Sequence, residues 1–237
     1  MKPSSVLILT HIDQKTNQVL LPHIEWLKKT NPNVDYHIIV GEDSVHGKKY
    51  NWKNGDQPLI KWYQCNHTKI NSQVIAIVEY DTLIGCELPD LPDHLDLAGK
   101  QMFVENISVR NKWIRKRMSD PSWTNDNWFW WPEIPLLELT DNQKAIGLIS
   151  FGFYLVRKWV LDVVCDTKWT HLFSKSIQNE LRFPTIASLC GATIGTIDLP
   201  FVNFDNTIVG DKPGIYHGVN NPFYGEFHSV TNNYTAV

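Results

Sequence analysis

Five consecutive apolar residues, 74–78, run straight into two carboxylates one position apart, Glu79 and Asp81. A run of that length without polar alternation reads as a strand buried on both faces, and such strands belong to parallel sheets covered by helices on either side. The preceding segments agree. Residues 6–10 read as a short buried strand, and 13–29 as a helix with Leu20, Ile24 and Leu27 on one face. Asn31-Pro32-Asn33 breaks that helix. Residues 35–43 form a second strand that ends in acids, and Asp56 is placed to cap a helix over 57–66 carrying Leu59, Ile60 and Tyr63. Strand, helix, strand, helix, strand implies βαβ units. The expected class is α/β: a mixed, mostly parallel central sheet flanked by helices.

The second half has a different texture. Residues 86–135 are rich in Pro, Asp, Asn and Trp and show little periodicity, with Trp123, Trp128, Trp130 and Trp131 crowded into a few positions. "LISFGFYLV" reads as a strand interrupted by Gly152. Val156, Trp159, Val160, Val163 and Val164 then repeat at helical spacing. Phe183, Ile186, Ala187 and Cys190 mark another helix, with Pro184 in its first turn and Gly191 at its end. From about 203 the chain is rich in Asn, Gly and Pro and reads as loop. With no long linker and no repeat, 1–237 reads as a single domain, divided into a half over 1–85 and a half over 86–237.

Composition narrows the function classes. The chain is 43% hydrophobic and 20% charged, sufficient for an ordinary globular core, and its net charge of -3 gives no electrostatic case for nucleic acid. The basic cluster Lys112–Arg117 is short enough to be a solvated helix face. No apolar run approaches the roughly 18 residues of a membrane span, and "VLIL" is too short for a signal peptide's apolar region. Cys65, Cys86, Cys165 and Cys190 are far apart and form no CxxC, so buried, reduced thiols and a cytoplasmic location are expected.

The carboxylates carry the chemistry. In open α/β sheets ligands sit outside the carboxyl ends of the strands, where Glu79 and Asp81 lie. Two like charges about 5 Å apart repel by roughly 3 kcal/mol at an effective dielectric near 20. A proton, a basic side chain or a cation must offset that, and oxygen ligands suit Mg²⁺ or Mn²⁺. The plainer alternative is that both acids solvate a strand end.

The βαβ start, the acid-x-acid "EYD" ending a central strand and the mixed second half together resemble the GT-A (Rossmann-like) glycosyltransferases, and the small size resembles their compact single-domain members. The resemblance implies a D-x-D-type motif holding a divalent cation, Mn²⁺ or Mg²⁺, on the diphosphate of a nucleotide sugar. Residues 1–85 would then be the nucleotide-binding half and 86–237 the acceptor-binding and catalytic half. Asp81 would be the direct metal ligand. Glu79, where the family usually has Asp, would bind metal, metal-bound water or ribose. Glu42 and Asp43 fall where the family reads the base or ribose. Gly152 falls where a small residue lets the donor sugar lie against the backbone. Glu180, in "NELRFPTIASLCG", matches an acid beside the acceptor and is the candidate general base of an inverting transfer. His217, in "IYHGVNNP", matches a late histidine that completes the metal site, with His228 as its rival. A neutral imidazole ligand would make metal affinity weaken below about pH 6. The flat rings of Trp123, Trp128, Trp130 and Trp131 suit an acceptor sugar.

The resemblance therefore implies a nucleotide-sugar donor, with UDP-sugar favoured, and a carbohydrate acceptor as partners, with neither nucleic acid nor a membrane span. Each position also has a structural reading: a strand end for Glu42 and Asp43, a bulge at Gly152, a helix-dipole partner in Glu180, core packing for the tryptophans. Two other functions fit less well. A sugar-phosphate nucleotidyltransferase would show a Gly-rich loop after the first strand, where this chain has "THIDQKTNQ". A non-catalytic carbohydrate-binding protein would use the tryptophans without metal or nucleotide.

Overall fold

A computed structural model describes residues 1–10, 14–41, 54–106, 131–149, 152–166, 168–175, 177–197 and 213–219. Along the chain run β1 (Ser5–Thr10), α1 (Gln14–Thr30), β2 (Asp35–Val40), α2 (Asp56–Asn66), β3 (Val74–Glu79), β4 (Leu83–Ile84), β5 (Leu97–Gly99), β6 (Gln101–Asn106) and β7 (Lys144–Ile149). They are followed by β8 (Phe153–Arg157), α3 (Lys158–Cys165), α4 (Asn179–Leu189), β9 (Ile194–Thr196) and β10 (Ile215–Tyr216).

The central sheet has six strands in the order β2-β1-β3-β8-β5-β9. β1 pairs in parallel with both β2 and β3, and β9 is parallel to β5. β8 runs antiparallel between β3 and β5. The expected class stands: mixed α/β, with a mostly parallel sheet flanked by helices. Residues from before 85 and from after it share this one sheet. Among the described residues, no helix is long and apolar enough to cross a membrane.

The alternation along each strand feeds two cores. Leu7, Leu9, Ile75, Ile77, Tyr154 and Val156 face the layer holding α2, α3 and α4. Val6, Ile8, Val74, Ala76, Val78, Phe153 and Leu155 face α1 with its Leu20, Ile24 and Leu27. Both faces are covered, so the strands read as unbroken apolar runs.

Several expectations are corrected. Asp56 is the first residue of α2, and its carboxylate makes no cap hydrogen bond; Gly55 holds the cap position. Arg182 takes that carboxylate instead: Nε donates to Asp56 Oδ2 at 2.8 Å and Nη2 donates to Oδ1. Both side chains are fully buried, and the guanidinium also donates to the Lys175 carbonyl and lies over the Phe173 ring. A buried cation satisfied from several sides outweighs the weaker local cap. Val156 belongs to β8, paired with Ile75 and Leu97, not to the following helix. That helix begins at Lys158 and buries Val160, Leu161, Val164 and Cys165, while Trp159 is 37% exposed and donates to Asp96. α4 begins before the position Pro184 suggested, so Pro184 lies inside the helix. Its early start is held by Arg182, and Thr185 Oγ1 donates to the Ile146 carbonyl of β7.

"LISFGFYLV" supplies two strands in different sheets, β7 paired with β6 and β8 in the centre. The stretch read as irregular contains β5 and β6. Gly191 closes α4 with φ +94°, the left-handed conformation that favours glycine. One short strand, β10, interrupts the loop-like tail and pairs antiparallel to β4. None of the cysteines is in a disulfide, and Cys65 is exposed rather than buried.

Candidate active site

Parallel pairing aligns the carboxyl ends of β1, β2 and β3, and Glu79 is the last residue of β3, opposite Leu9. A tight turn follows. Thr82 N–H donates to the Glu79 carbonyl, Tyr80 N–H to the Leu9 carbonyl and Glu79 N–H to the Gly152 carbonyl. This turn projects Glu79 and Asp81 into one small region beyond the sheet.

His217 arrives from 138 residues away. β4 begins two residues after Asp81, and β10 pairs with it, Tyr216 against Leu83. The next residue is His217. Gly218 then adopts φ +81°, where a side chain would be strained, and the turn lets Val219 N–H donate to the Asp81 carbonyl at 2.9 Å. The imidazole lies against bare backbone: a Cβ at Gly152 would meet the ring's Cδ2, Cγ and Nε2 at 2.4, 2.6 and 2.7 Å. The close approach that Gly152 permits is thus made by His217. β8 runs antiparallel to β3 with Phe153 opposite Val78, which sets Gly152 beside the carboxyl end of β3. Thr82 Oγ1 donates to the Gly152 carbonyl at 2.8 Å and fixes that backbone.

His217 Nε2–H donates to Glu79 Oε2 at 2.8 Å and lies 3.5 Å from Asp81 Oδ1. One ligand atom from each of Glu79, Asp81 and His217 lies within 4.8 Å of the other two, and all three side chains are half-buried. Burial alone would lower the His217 pKa. The hydrogen bond and charge of Glu79, with the charges of Asp81 and Glu180, outweigh it and raise the pKa to about 9.

The donor set fits a small divalent ion. The two carboxylate oxygens suit Mn²⁺ or Mg²⁺, and the imidazole nitrogen is a ligand more usual for transition metals, which favours Mn²⁺ of the two. Adjacent ligands of an octahedral ion with bonds near 2.1 Å stand about 3 Å apart, close to the spacings His217 Nε2 makes with Glu79 and Asp81.

Glu180 stands in the first turn of α4, half-buried. Its charge contributes to raising the His217 pKa. It also acts with Asp56 and Glu79, behind the larger effect of burial, to push the fully buried Tyr154 hydroxyl far up. Glu180 therefore shares the electrostatic neighbourhood of the three converging side chains.

Glu42, Asp43, Trp123, Trp128, Trp130 and His228 lie outside the described residues, as does the basic cluster 112–117. Trp131 opens a 3₁₀ turn, Trp131–Leu137. Sequence reasoning missed Thr82, Gly218 and His23. The last donates from Nδ1 to the Tyr80 carbonyl at 3.1 Å. His23 was detectable as a polar residue inside the apolar stripe of α1.

No protein-family model and no curated protein matches the sequence. Solved structures with a similar backbone include the galactosyltransferase LgtC, crystallised with donor and acceptor sugar analogues. It has a TM-score of 0.43 and 10% identity over 90% of this chain and 86% of that one. The glycosyltransferase GlyE of Streptococcus pneumoniae TIGR4 has a TM-score of 0.44 and 8% identity over 92% of this chain and 55% of that one. The inositol-1-phosphate CTP transferase of T. maritima has a TM-score of 0.39 and 10% identity over 82% of this chain and 85% of that one. The chain is similar to these proteins in outline.

Proposed function

We propose that the protein is a metal-dependent glycosyltransferase of GT-A type, moving a sugar from a nucleoside diphosphate sugar, with a UDP-sugar favoured, to a hydroxyl of a carbohydrate acceptor. The observation that carries this reading is the convergence of Glu79, Asp81 and His217 at the carboxyl end of β3, where open α/β sheets bind ligands. Mn²⁺ or Mg²⁺ held by these side chains would offset charge on the departing diphosphate as a Lewis acid.

The chain's own groups supply the remainder. Asp81 and Glu79 would present the anionic ligands, and His217, with its Nε2 proton released to solvent, would present a neutral imidazole nitrogen. Gly152 and Thr82 hold the imidazole and the turn in place. Glu180 accepts the proton of the acceptor hydroxyl while the acceptor oxygen bonds to the anomeric carbon. The bond from that carbon to the diphosphate oxygen breaks, and its electron pair leaves with the diphosphate. Attack from the face opposite the diphosphate inverts the anomeric centre. Glu42 and Asp43 read the base or ribose, and one or more of Trp123, Trp128, Trp130 and Trp131 stacks on the acceptor sugar.

The test is release of nucleoside diphosphate from UDP- and GDP-sugars with MnCl₂ and an oligosaccharide acceptor mixture. Release by the wild type, lost in EDTA and in Asp81→Asn, is the expected result. Turnover that persists in EDTA overturns the metal role. Pyrophosphate formed from a nucleoside triphosphate and a sugar phosphate would identify a nucleotidyltransferase instead. Sugar binding with no nucleotide binding would identify a carbohydrate-binding protein.

A further inference from the structure

α1 turns one apolar stripe toward the sheet: Val19, Leu20, Ile24 and Leu27 are all buried. His23 sits within that stripe at 4% exposure. A polar ring among aliphatic neighbours is an informative observation, because an aliphatic residue would fill the position without losing hydration. The ring's Nδ1 lies 3.1 Å from the carbonyl oxygen of Tyr80. A carbonyl only accepts, so Nδ1 carries the hydrogen. His23, Glu79, Tyr80 and Thr82 also line one cavity of about 10 Å³, roughly the space of a single water.

Tyr80 is the middle residue of Glu79-Tyr80-Asp81. Its carbonyl belongs to the peptide that leads into Asp81, so whatever holds that oxygen fixes the plane from which the Asp81 side chain departs. Backbone partners anchor the neighbouring groups: Leu9 takes the Tyr80 N–H, Gly152 the Glu79 N–H, and Val219 donates to the Asp81 carbonyl. The Tyr80 carbonyl receives a side chain from a different layer of the fold.

We propose that His23 is a positioning residue of the carboxylate turn: by donating Nδ1–H to the Tyr80 carbonyl it holds Asp81 and Glu79 facing His217, and so sets the affinity of the site for a divalent cation. This rests on the reading that Glu79, Asp81 and His217 bind such an ion. Outer hydrogen bonds that orient ligands commonly change metal affinity 10- to 100-fold when removed.

The experiment titrates MnCl₂ alone into the full chain, by electron paramagnetic resonance of free Mn²⁺, for wild type, His23→Leu, His23→Asn and His23→Gln. Asn places an amide N–H where Nδ1 stands; Gln places it where Nε2 stands; Leu fills the space without a donor. His23→Leu should weaken Mn²⁺ roughly 10- to 100-fold, His23→Asn should stay within about threefold, and His23→Gln should behave like His23→Leu. Thermal midpoints are read alongside, because a purely structural role would shift them while leaving Mn²⁺ affinity unchanged. Wild-type affinity in His23→Leu overturns the proposal. If His23→Leu fails to fold, equal affinities in His23→Asn and His23→Gln overturn it. A wild-type chain that binds Mn²⁺ no better than Asp81→Asn overturns this proposal and the metal reading together, whereas the other two results overturn this proposal alone.

Discussion

Gly152→Ala is the smallest change that reaches the site. The new methyl would stand 2.4 Å from His217 Cδ2 and under 3 Å from two more ring atoms, against an ordinary contact of at least 3.4 Å. The ring must therefore retreat by about 1 Å, since Gly152 is held by hydrogen bonds from Glu79 and Thr82 to its carbonyl. His217 cannot swing freely, because Tyr216 is paired with Leu83 and Val219 is bonded to Asp81. Metal sites tolerate ligand displacements of only about 0.2 Å, so Mn²⁺ affinity should fall about 10- to 100-fold. Overpacking should also destabilise the fold by about 1–3 kcal/mol, or several degrees in Tm for a chain of this size. The assay is Mn²⁺ titration with a parallel thermal melt. The double variant Gly152→Ala/His217→Ala adds a check: with the ring gone the methyl fits, so it should be no less stable than His217→Ala alone. Wild-type Mn²⁺ affinity in Gly152→Ala, or strictly additive stabilities in the double variant, would show that the contact between Gly152 and His217 does not set the site.

The raised His217 pKa, about 9, moves the expected weakening of metal affinity from below about pH 6 to below about pH 9, because a proton occupies Nε2 there and the cation must displace it. Mn²⁺ affinity should rise about tenfold per pH unit from pH 6.5 to 8.5 with release of nearly one proton per ion; a flat profile by calorimetry in buffers of different ionisation enthalpy would contradict this. The same shift stabilises the cation-free fold fully below pH 6.5 and is lost as pH rises through about 9. It amounts to about 3 kcal/mol, and urea melts should show it in wild type but not in His217→Ala. Glu180→Gln should leave Mn²⁺ and nucleotide binding intact while slowing transfer about 10²- to 10⁴-fold; a near wild-type rate with a slightly lower Tm would make Glu180 a helix-dipole partner only. Arg182→Met leaves Asp56 buried without its cation and should cost about 3–5 kcal/mol, most of it recovered in Arg182→Met/Asp56→Leu. Equal losses in both variants by denaturant unfolding would show that the ion pair is not the source.

What the sequence revealed and what it hid follow from the range of the interactions. β3 was legible because burial on both faces imposes a local apolar run, and Leu20, Ile24 and Leu27 because one helix face meets the sheet. Glu79-Tyr80-Asp81 drew notice as charge at the end of such a run. The meeting of His217 with these acids depends on β4 and β10, strands of two residues with no periodic signal. Asp56 looked like a cap because cap signals are local, while its partner Arg182 is 126 residues away. Val156 matched a helical spacing by coincidence of β8 leading directly into α3. His23 was visible as a polar break in an apolar stripe, yet its reason lies in a carbonyl of another layer.

In the proposed function Glu79, Asp81 and His217 hold a divalent cation that in turn holds a nucleoside diphosphate. Calorimetric titration of UDP and GDP into wild type and Asp81→Asn, each with MnCl₂ or with EDTA, tests it most directly. A nucleoside diphosphate should bind the wild type with Mn²⁺, EDTA should abolish the binding, and Asp81→Asn should show none under either condition while melting as the wild type does. Nucleotide binding of equal strength in EDTA, or in Asp81→Asn, would contradict it.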